Sequence, residues 1–270
     1  MLKNYFKTAW RNITRTIGYS LLNVAGLAIG MAVALLIGLW VYEQYSFDTS
    51  LSDRERLYRV QRNFNSNGDT LTFLSTSLKL ADALRNQVPE VEYVAESVGM
   101  GPHGLRVGDK KIYINGGIVG SDFLKMFPYP LVAGDARTVF KDAYSIVLNQ
   151  STARALFGND DPLHKTVRFD NEHDLTVTGV IKDLPRNSSF RFNYLVPFSY
   201  LEQTNEAIRQ NRTGSFGNNS YNIYVKLRPG ADYTNVYPRI RNIEHTETDN
   251  QNAMLSYVTL QPMKRWHLYS

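Results

Sequence analysis

The sequence predicts an α+β fold: one N-terminal transmembrane helix followed by a two-lobed α+β domain outside the membrane. Three observations predict it. A charge-free stretch runs from Thr16 to Tyr42, longer than the roughly 20 helical residues that cross a hydrocarbon core. Beyond it, strand-like and helix-like segments mix without a regular βαβ rhythm. The 270 residues contain no Cys but 17 Tyr and 13 Phe, so the outer domain relies on an aromatic core and not on disulfides.

The membrane segment comes first. Leu21 to Val41 reads LLNVAGLAIGMAVALLIGLWV, and a charge at its centre would cost about 2.5–3.5 kcal/mol. Lys3, Lys7, Arg11 and Arg15 precede it, whereas Glu43, Asp48 and Asp53 follow. The positive-inside bias places the N-terminus in the cytoplasm and residues from about 45 onward outside. Tyr19 at one end and Trp40, Tyr42 and Tyr45 at the other suit the interfacial belts. A cleaved signal peptide fits less well, since its apolar core spans about 7–15 residues. A buried helix of a soluble protein would show a polar face.

Residues 1–16 form a basic amphipathic helix in this reading. Lys3, Lys7, Arg11 and Arg15 recur every fourth position, while Leu2, Phe6, Ala9, Trp10 and Ile13 gather largely on the other side. Such a helix can lie in the cytoplasmic interface, with Lys3, Lys7, Trp10, Arg11 and Arg15 as its contact residues. Within the span (17–44), Gly26, Gly30, Ala34 and Gly38 repeat every fourth position. Small residues so spaced admit a second helix closely in lipid, and a lone anchor has little use for that face.

The outer domain then reads as follows. Leu57 to Phe64 and Thr70 to Ser75 are strands joined by a turn at Asn67-Gly68. Leu78 to Val88 is a helix ended by Pro89. Val91 to Val98 is a strand, and Leu105 to Ile114 a separate hairpin turning at Gly108-Asp109. Asp122 to Phe127 is a short helix and Ser145 to Leu148 a strand. Ser151 to Phe157 is a helix with Gly158 as its stop. Lys165 to Asp170 and Leu175 to Ile181 form a hairpin. Phe192 to Thr204 passes from strand to helix. Tyr221 to Leu227 is a strand, Tyr233 to Ile243 a helix and Leu255 to Gln261 a last strand. The hairpin-rich middle, 99–187, is expected as one lobe inserted between 45–98 and 188–270, which form the other. Because the chain stops at Ser270 just after a strand-like run, more protein is expected to follow.

Composition excludes several functions. Formal net charge is +5, but the leader supplies four positives, leaving about +1 elsewhere. No basic run with interleaved aromatics suggests nucleic acid. There is no phosphate-loop motif and no Gly-x-Ser-x-Gly elbow. His103, His164, His173, His245 and His267 lack the paired spacing of a zinc site. Glu172-His173-Asp174 reads as a solvated turn. No catalytic residue, cofactor or metal is expected.

Five blocks taken together resemble the N-terminal part of a MacB/FtsX-type ABC transporter permease. They are Trp10-Arg11-Asn12 with Tyr19-Ser20, Asn23 and Gly26 to Ala32; Tyr45-Ser-Phe47-Asp48 with Arg56 to Val60; Phe123 to Pro128 with Gly134-Asp135; Val147-Leu-Asn149 with Ala153, Phe157-Gly158 and Pro162; and Val177 to Val180 with Asp183-Leu-Pro185 and Asn187-Ser188. Where the family more often shows Gly-Lys, this chain has His164-Lys165. The resemblance implies a first transmembrane helix, a two-lobed periplasmic core domain and three further helices not present here. It implies a permease subunit of the inner membrane that couples a separate cytoplasmic ABC ATPase to periplasmic motion for export or mechanotransmission. Its partners would be the lipid bilayer, that ATPase, a second permease in a homodimer or heterodimer, and a periplasmic adaptor. An alternative is a membrane-anchored sensor whose outer domain binds a small ligand, and a second is an anchored exported enzyme. The cargo is not written in these residues.

Overall fold

Apolar composition without periodicity favours one long helix at the N-terminus, and the computed structural model has it. The structure describes residues 2–66, 68–245 and 255–267. Helix α1 spans Leu2–Arg15 and α2 spans Ile17–Ser46, separated by Thr16 at φ −127°, ψ 59°. α2 has 30 residues, an 18-residue window of mean hydropathy 2.4 and no buried residue. It outlasts the charge-free stretch by four positions, because Glu43, Gln44 and Ser46 are helix-compatible and the Ser46 hydroxyl donates to the Glu43 carbonyl at 2.8 Å. Residues 1–47 and 48–270 form separate units.

The second unit is α+β, as its mixed pattern predicts. In chain order it contains β1 (Leu57–Ser66), β2 (Asp69–Phe73), β3 (Ser75–Thr76), α3 (Leu78–Gln87), β4 (Val91–Val107), β5 (Lys110–Val119) and α4 (Phe123–Met126). Then come β6 (Leu131–Ala133), β7 (Ser145–Asn149), α5 (Gln150–Phe157), β8 (Thr166–Phe169), β9 (His173–Ile181) and β10 (Tyr194–Pro197). The remainder is α6 (Phe198–Thr204), α7 (Glu206–Thr213), β11 (Tyr221–Leu227), α8 (Tyr233–Ile240) and β12 (Ser256–Pro262). Side-chain caps start four of the helices. Ser77, Asn149, Asn205 and Asp232 accept from backbone N–H groups of α3, α5, α7 and α8. Gly158 ends α5 at φ +68°, as expected.

The strands divide into two arrangements that share β4. On one side the order is β12-β1-β11-β4, all antiparallel, with β2 extending β1 as a hairpin. Of the expected turn, Asn67 lies outside the described residues, and Gly68 has φ +92°. On the other side the pairings close on themselves: β4 pairs β5, β5 pairs β10, β10 pairs β7, β7 pairs β9, β9 pairs β8, and β8 returns to β4. That is a six-stranded ring with parallel pairs at β5–β10 and β7–β9, and closure leaves no open edge within it. Leu105, Ile118, Ile146, Leu148, Val167, Phe169, Leu175, Val177, Tyr194 and Val196 pack as its core.

β4 differs from the expectation. The sequence suggests a strand to Val98 and a separate hairpin from Leu105, because Gly99, Gly101, Pro102 and Gly104 look like breakers. The structure runs one 17-residue strand through them. Gly99 absorbs the register shift between Ser97 and Met100 at φ +98°. Pro102 sits where β4 is paired only to β5, so its missing N–H costs no ladder bond. Two elements went unread: β6, of three residues, and α7, which has no buried residue. α7 is held mainly by charge, with Ile208 as its apolar contact to Leu78, Phe198 and Tyr221. Arg212 meets Asp82 at 2.8 Å, Glu202 at 2.5 Å and the buried Glu96, tying α3, β4, α6 and α7 together.

Candidate functional site

The residues singled out for function lie on the first unit and at the start of the second. On α1, Lys3, Phe6, Lys7 and Trp10 form one continuous surface patch, because positions three and four apart are neighbours on a helix. Arg11 and Arg15 continue the basic side, and all of these residues are exposed. The two faces therefore meet along Trp10 and Lys3, the boundary that suits a helix lying between headgroups and acyl chains.

On α2, Gly26, Gly30, Ala34 and Gly38 are all exposed. A Cβ built at Gly26, Gly30 or Gly38 would meet nothing within 4 Å. Their four-residue spacing turns the face by about 40° per step along roughly 18 Å of helix.

The feature that sequence reasoning missed is the joint directly after α2. Asp48 is buried and takes φ +56°. Its backbone N–H donates to the Asn187 carbonyl at 2.8 Å. Its carboxylate accepts from the Ser189 N–H at 2.8 Å and from the Ser189 hydroxyl. Asp48 of the second motif block and the end of the fifth thus meet in one clamp, 141 positions apart at Ser189. Leu51, three residues on, enters an aromatic cluster with Phe123, Phe127, Phe190, Tyr224 and Trp266. Ring centroids lie 4.8 Å apart for Phe127–Phe190 and 5.3 Å for Phe190–Tyr224. The readable signal was an Asp after Tyr-Ser-Phe. Its partner could not be read, since no local period links positions 48 and 189.

The other blocks also meet as joints. Asp183 accepts from the backbone N–H and hydroxyl of Ser151 at 3.0 and 2.6 Å, fixing the start of α5. At Gly134, φ is +92° and an added Cβ would lie 2.4 Å from the Thr178 carbonyl oxygen, so the third and fifth blocks touch backbone to backbone. The histidines are dispersed among structural bonds. His103 Nδ1 meets Asp170 at 2.5 Å, His173 Nδ1 meets the Tyr200 hydroxyl at 3.0 Å, and His245 Nε2 meets the Ser256 carbonyl at 2.7 Å. Among the described residues, no three of His, Cys, Asp and Glu converge as a metal-holding group. Of Glu172-His173-Asp174, expected as a solvated turn, only Glu172 lies in the turn; His173 and Asp174 open β9 opposite Phe169 and Arg168, and Asp174 pairs with Arg168 at 3.2 Å.

The family profile of the MacB-like periplasmic core domain matches residues 20–243. Three solved structures share the fold. A domain of a protein described as a permease, from Porphyromonas gingivalis, is 24% identical with a TM-score of 0.66, covering 78% of this chain and 91% of its own. The periplasmic region of MacB from Actinobacillus actinomycetemcomitans is 20% identical with a TM-score of 0.54, covering 77% and 89%. The extracellular domain of the ABC-type transporter YknZ from Gram-positive bacteria is 17% identical with a TM-score of 0.50, covering 75% and 99%. No curated protein sequence matches.

Proposed function

We propose, for a chain that belongs to the family of the MacB-like periplasmic core domain, that it is the permease subunit of an ABC-type export or mechanotransmission system of the bacterial inner membrane. Its N-terminus lies in the cytoplasm and residues from about 45 onward in the periplasm. A separate cytoplasmic ATPase meets the leader through Lys3, Lys7, Trp10, Arg11 and Arg15. A second permease, identical or related, packs along Gly26, Gly30, Ala34 and Gly38, and a periplasmic adaptor docks on the outer domain. The two lobes are the open sheet, from 45–98 and 188–270, and the ring built mainly from 99–187, to which β10 adds a strand.

One observation carries the coupling role. Only Phe47 separates the last residue of α2 from Asp48, and Asp48 is bonded to residues 187 and 189. In this reading movement of α2 is passed on at Asp48, whose bonds to 187 and 189 supply a short route into the domain. No group of the chain is asked to do chemistry. The work comes from ATP, and the chain transmits displacement.

The test uses the full chain assembled with its ATPase in proteoliposomes. Spin labels on S66C in two permease copies should change separation by about 5 Å or more between nucleotide-free and ATP states. In D48A this change should vanish while ATP hydrolysis persists. An unchanged ATP-driven shift in D48A would refute the joint as the transmission point. Gly30→Leu should lower recovery of the assembly about tenfold, an expected loss of about 1.4 kcal/mol of helix packing. Because Gly30 has open space around it within the chain, the outer domain of that variant should melt like the wild type. Full assembly of Gly30→Leu would remove the packing face.

A further inference from the structure

A groove opens beside the joint, lined by Asn115, Asn149, Pro185, Arg186, Phe190 and Arg191, with a volume of about 650 Å³. Its basic side consists of two exposed arginines that the permease reading leaves unused. They stand together, since the Arg191 guanidinium donates to the Arg186 carbonyl at 3.3 Å. Among the described residues neither guanidinium has a carboxylate within ion-pair distance, although Arg56, Arg62, Arg85, Arg137, Arg168, Arg209, Arg212 and Arg239 all do. The acidic lining residue, Asp183, is already engaged by Ser151. Leu184 and Pro185 supply an apolar edge, backed by the buried Phe190. An anion with an apolar body suits this lining.

Position narrows the anion. Arg186 and Arg191 flank the segment 187–189 that is hydrogen-bonded to Asp48. Asp48 follows the end of α2 by two residues, so chain length alone keeps it within about 7 Å of the helix end. If α2 crosses a bilayer, the segment 187–189 is tied through Asp48 to the point where the chain leaves it, and phospholipid headgroups are the anions met there. We propose that Arg186 and Arg191 form a phosphate site that holds the headgroup of one phospholipid, with the acyl side toward Leu184 and Pro185. Arginine forks bind phosphate oxygens in a bidentate manner, which a lysine cannot reproduce. The site would seat the base of the domain on the membrane surface beside the joint. This inference rests on the membrane-spanning reading of α2.

Native mass spectrometry of the full chain in an uncharged maltoside detergent tests it, with phosphatidylglycerol or inorganic phosphate as the probe. The wild type should retain one more phosphatidylglycerol per chain than R186Q/R191Q, and its affinity should be about tenfold higher. R186K/R191K, which keeps the charge, should fall between them and guards against a folding defect in the glutamine variant. R106Q/K111Q removes the same charge elsewhere on the domain and should bind like the wild type. Equal retention by R186Q/R191Q, or equal loss in R106Q/K111Q, would overturn the site. Saturation by inorganic phosphate without lipid retention would overturn the headgroup assignment. A membrane-impermeant thiol reagent on S66C checks the premise separately. Labelling in intact cells with no difference in lipid retention sinks the site alone, whereas absence of labelling sinks the membrane topology.

Discussion

Arg62 and Glu244 meet at 2.8 Å with side chains only 3% and 1% exposed, and Ser256 donates its hydroxyl to the same carboxylate at 2.7 Å. The Arg62 guanidinium also lies 4.9 Å from the Phe64 ring. Removing one partner leaves a charge buried alone, so R62A should destabilise the domain by about 3–5 kcal/mol. R62M/E244L should recover most of that loss. Burial pushes the Glu244 carboxyl above its ordinary value of 4.5, against the pull of Arg62 and Ser256. The folded chain therefore holds this proton to a higher pH than the unfolded chain does. Between 4.5 and the raised value, this group's contribution to stability falls as pH rises. Urea unfolding across mildly acidic pH should show that decline, and E244Q should flatten it. A decline of equal slope in E244Q would assign it to other carboxyls.

At the scale of elements, what the sequence disclosed was what local period and punctuation encode. α2 is legible because no charge interrupts it, α3 because Leu78, Leu80, Ala81 and Leu84 recur on one buried side before Pro89. The β8–β9 hairpin is legible because its strands alternate. The ring is not legible, since its closure joins Leu105 to Phe169 and Arg106 to Arg168, pairings that neither strand announces. α7 escaped because charge and not an apolar stripe holds it. Within the ring, Gly116 lies under the Tyr194 ring, whose carbons would stand 2.3 Å from an added Cβ, so strand–strand approach there requires glycine. Gly134 faces a harder obstacle, backbone at 2.4 Å with a left-handed φ. G134A should cost about 2–5 kcal/mol from strain and overpacking together, read as a lower urea midpoint. A loss below 0.5 kcal/mol, the ordinary range for an exposed substitution, would show that the β6–β9 contact yields freely.

For the whole molecule, the absence of Cys makes topology directly readable. S66C should react with an impermeant maleimide in intact cells, and T8C only after permeabilisation; the reverse pattern would invert the orientation. The expectation behind this test comes from the basic leader, Lys3, Lys7, Arg11 and Arg15, because insertion responds to positive charge close to the span. The clamp at Asp48 was not legible, because it depends on the tertiary course of a distant loop. β4 has a consequence of its own. Its first half, Val91 to Ser97, is zipped to β11, and its second half, Met100 to Val107, to β5. A single extended ribbon of about 57 Å is thus common property of both halves, and neither can be excised as a self-sufficient fragment. Whatever tilts one end of that ribbon must be felt at the other, as with an oar pivoting in its lock.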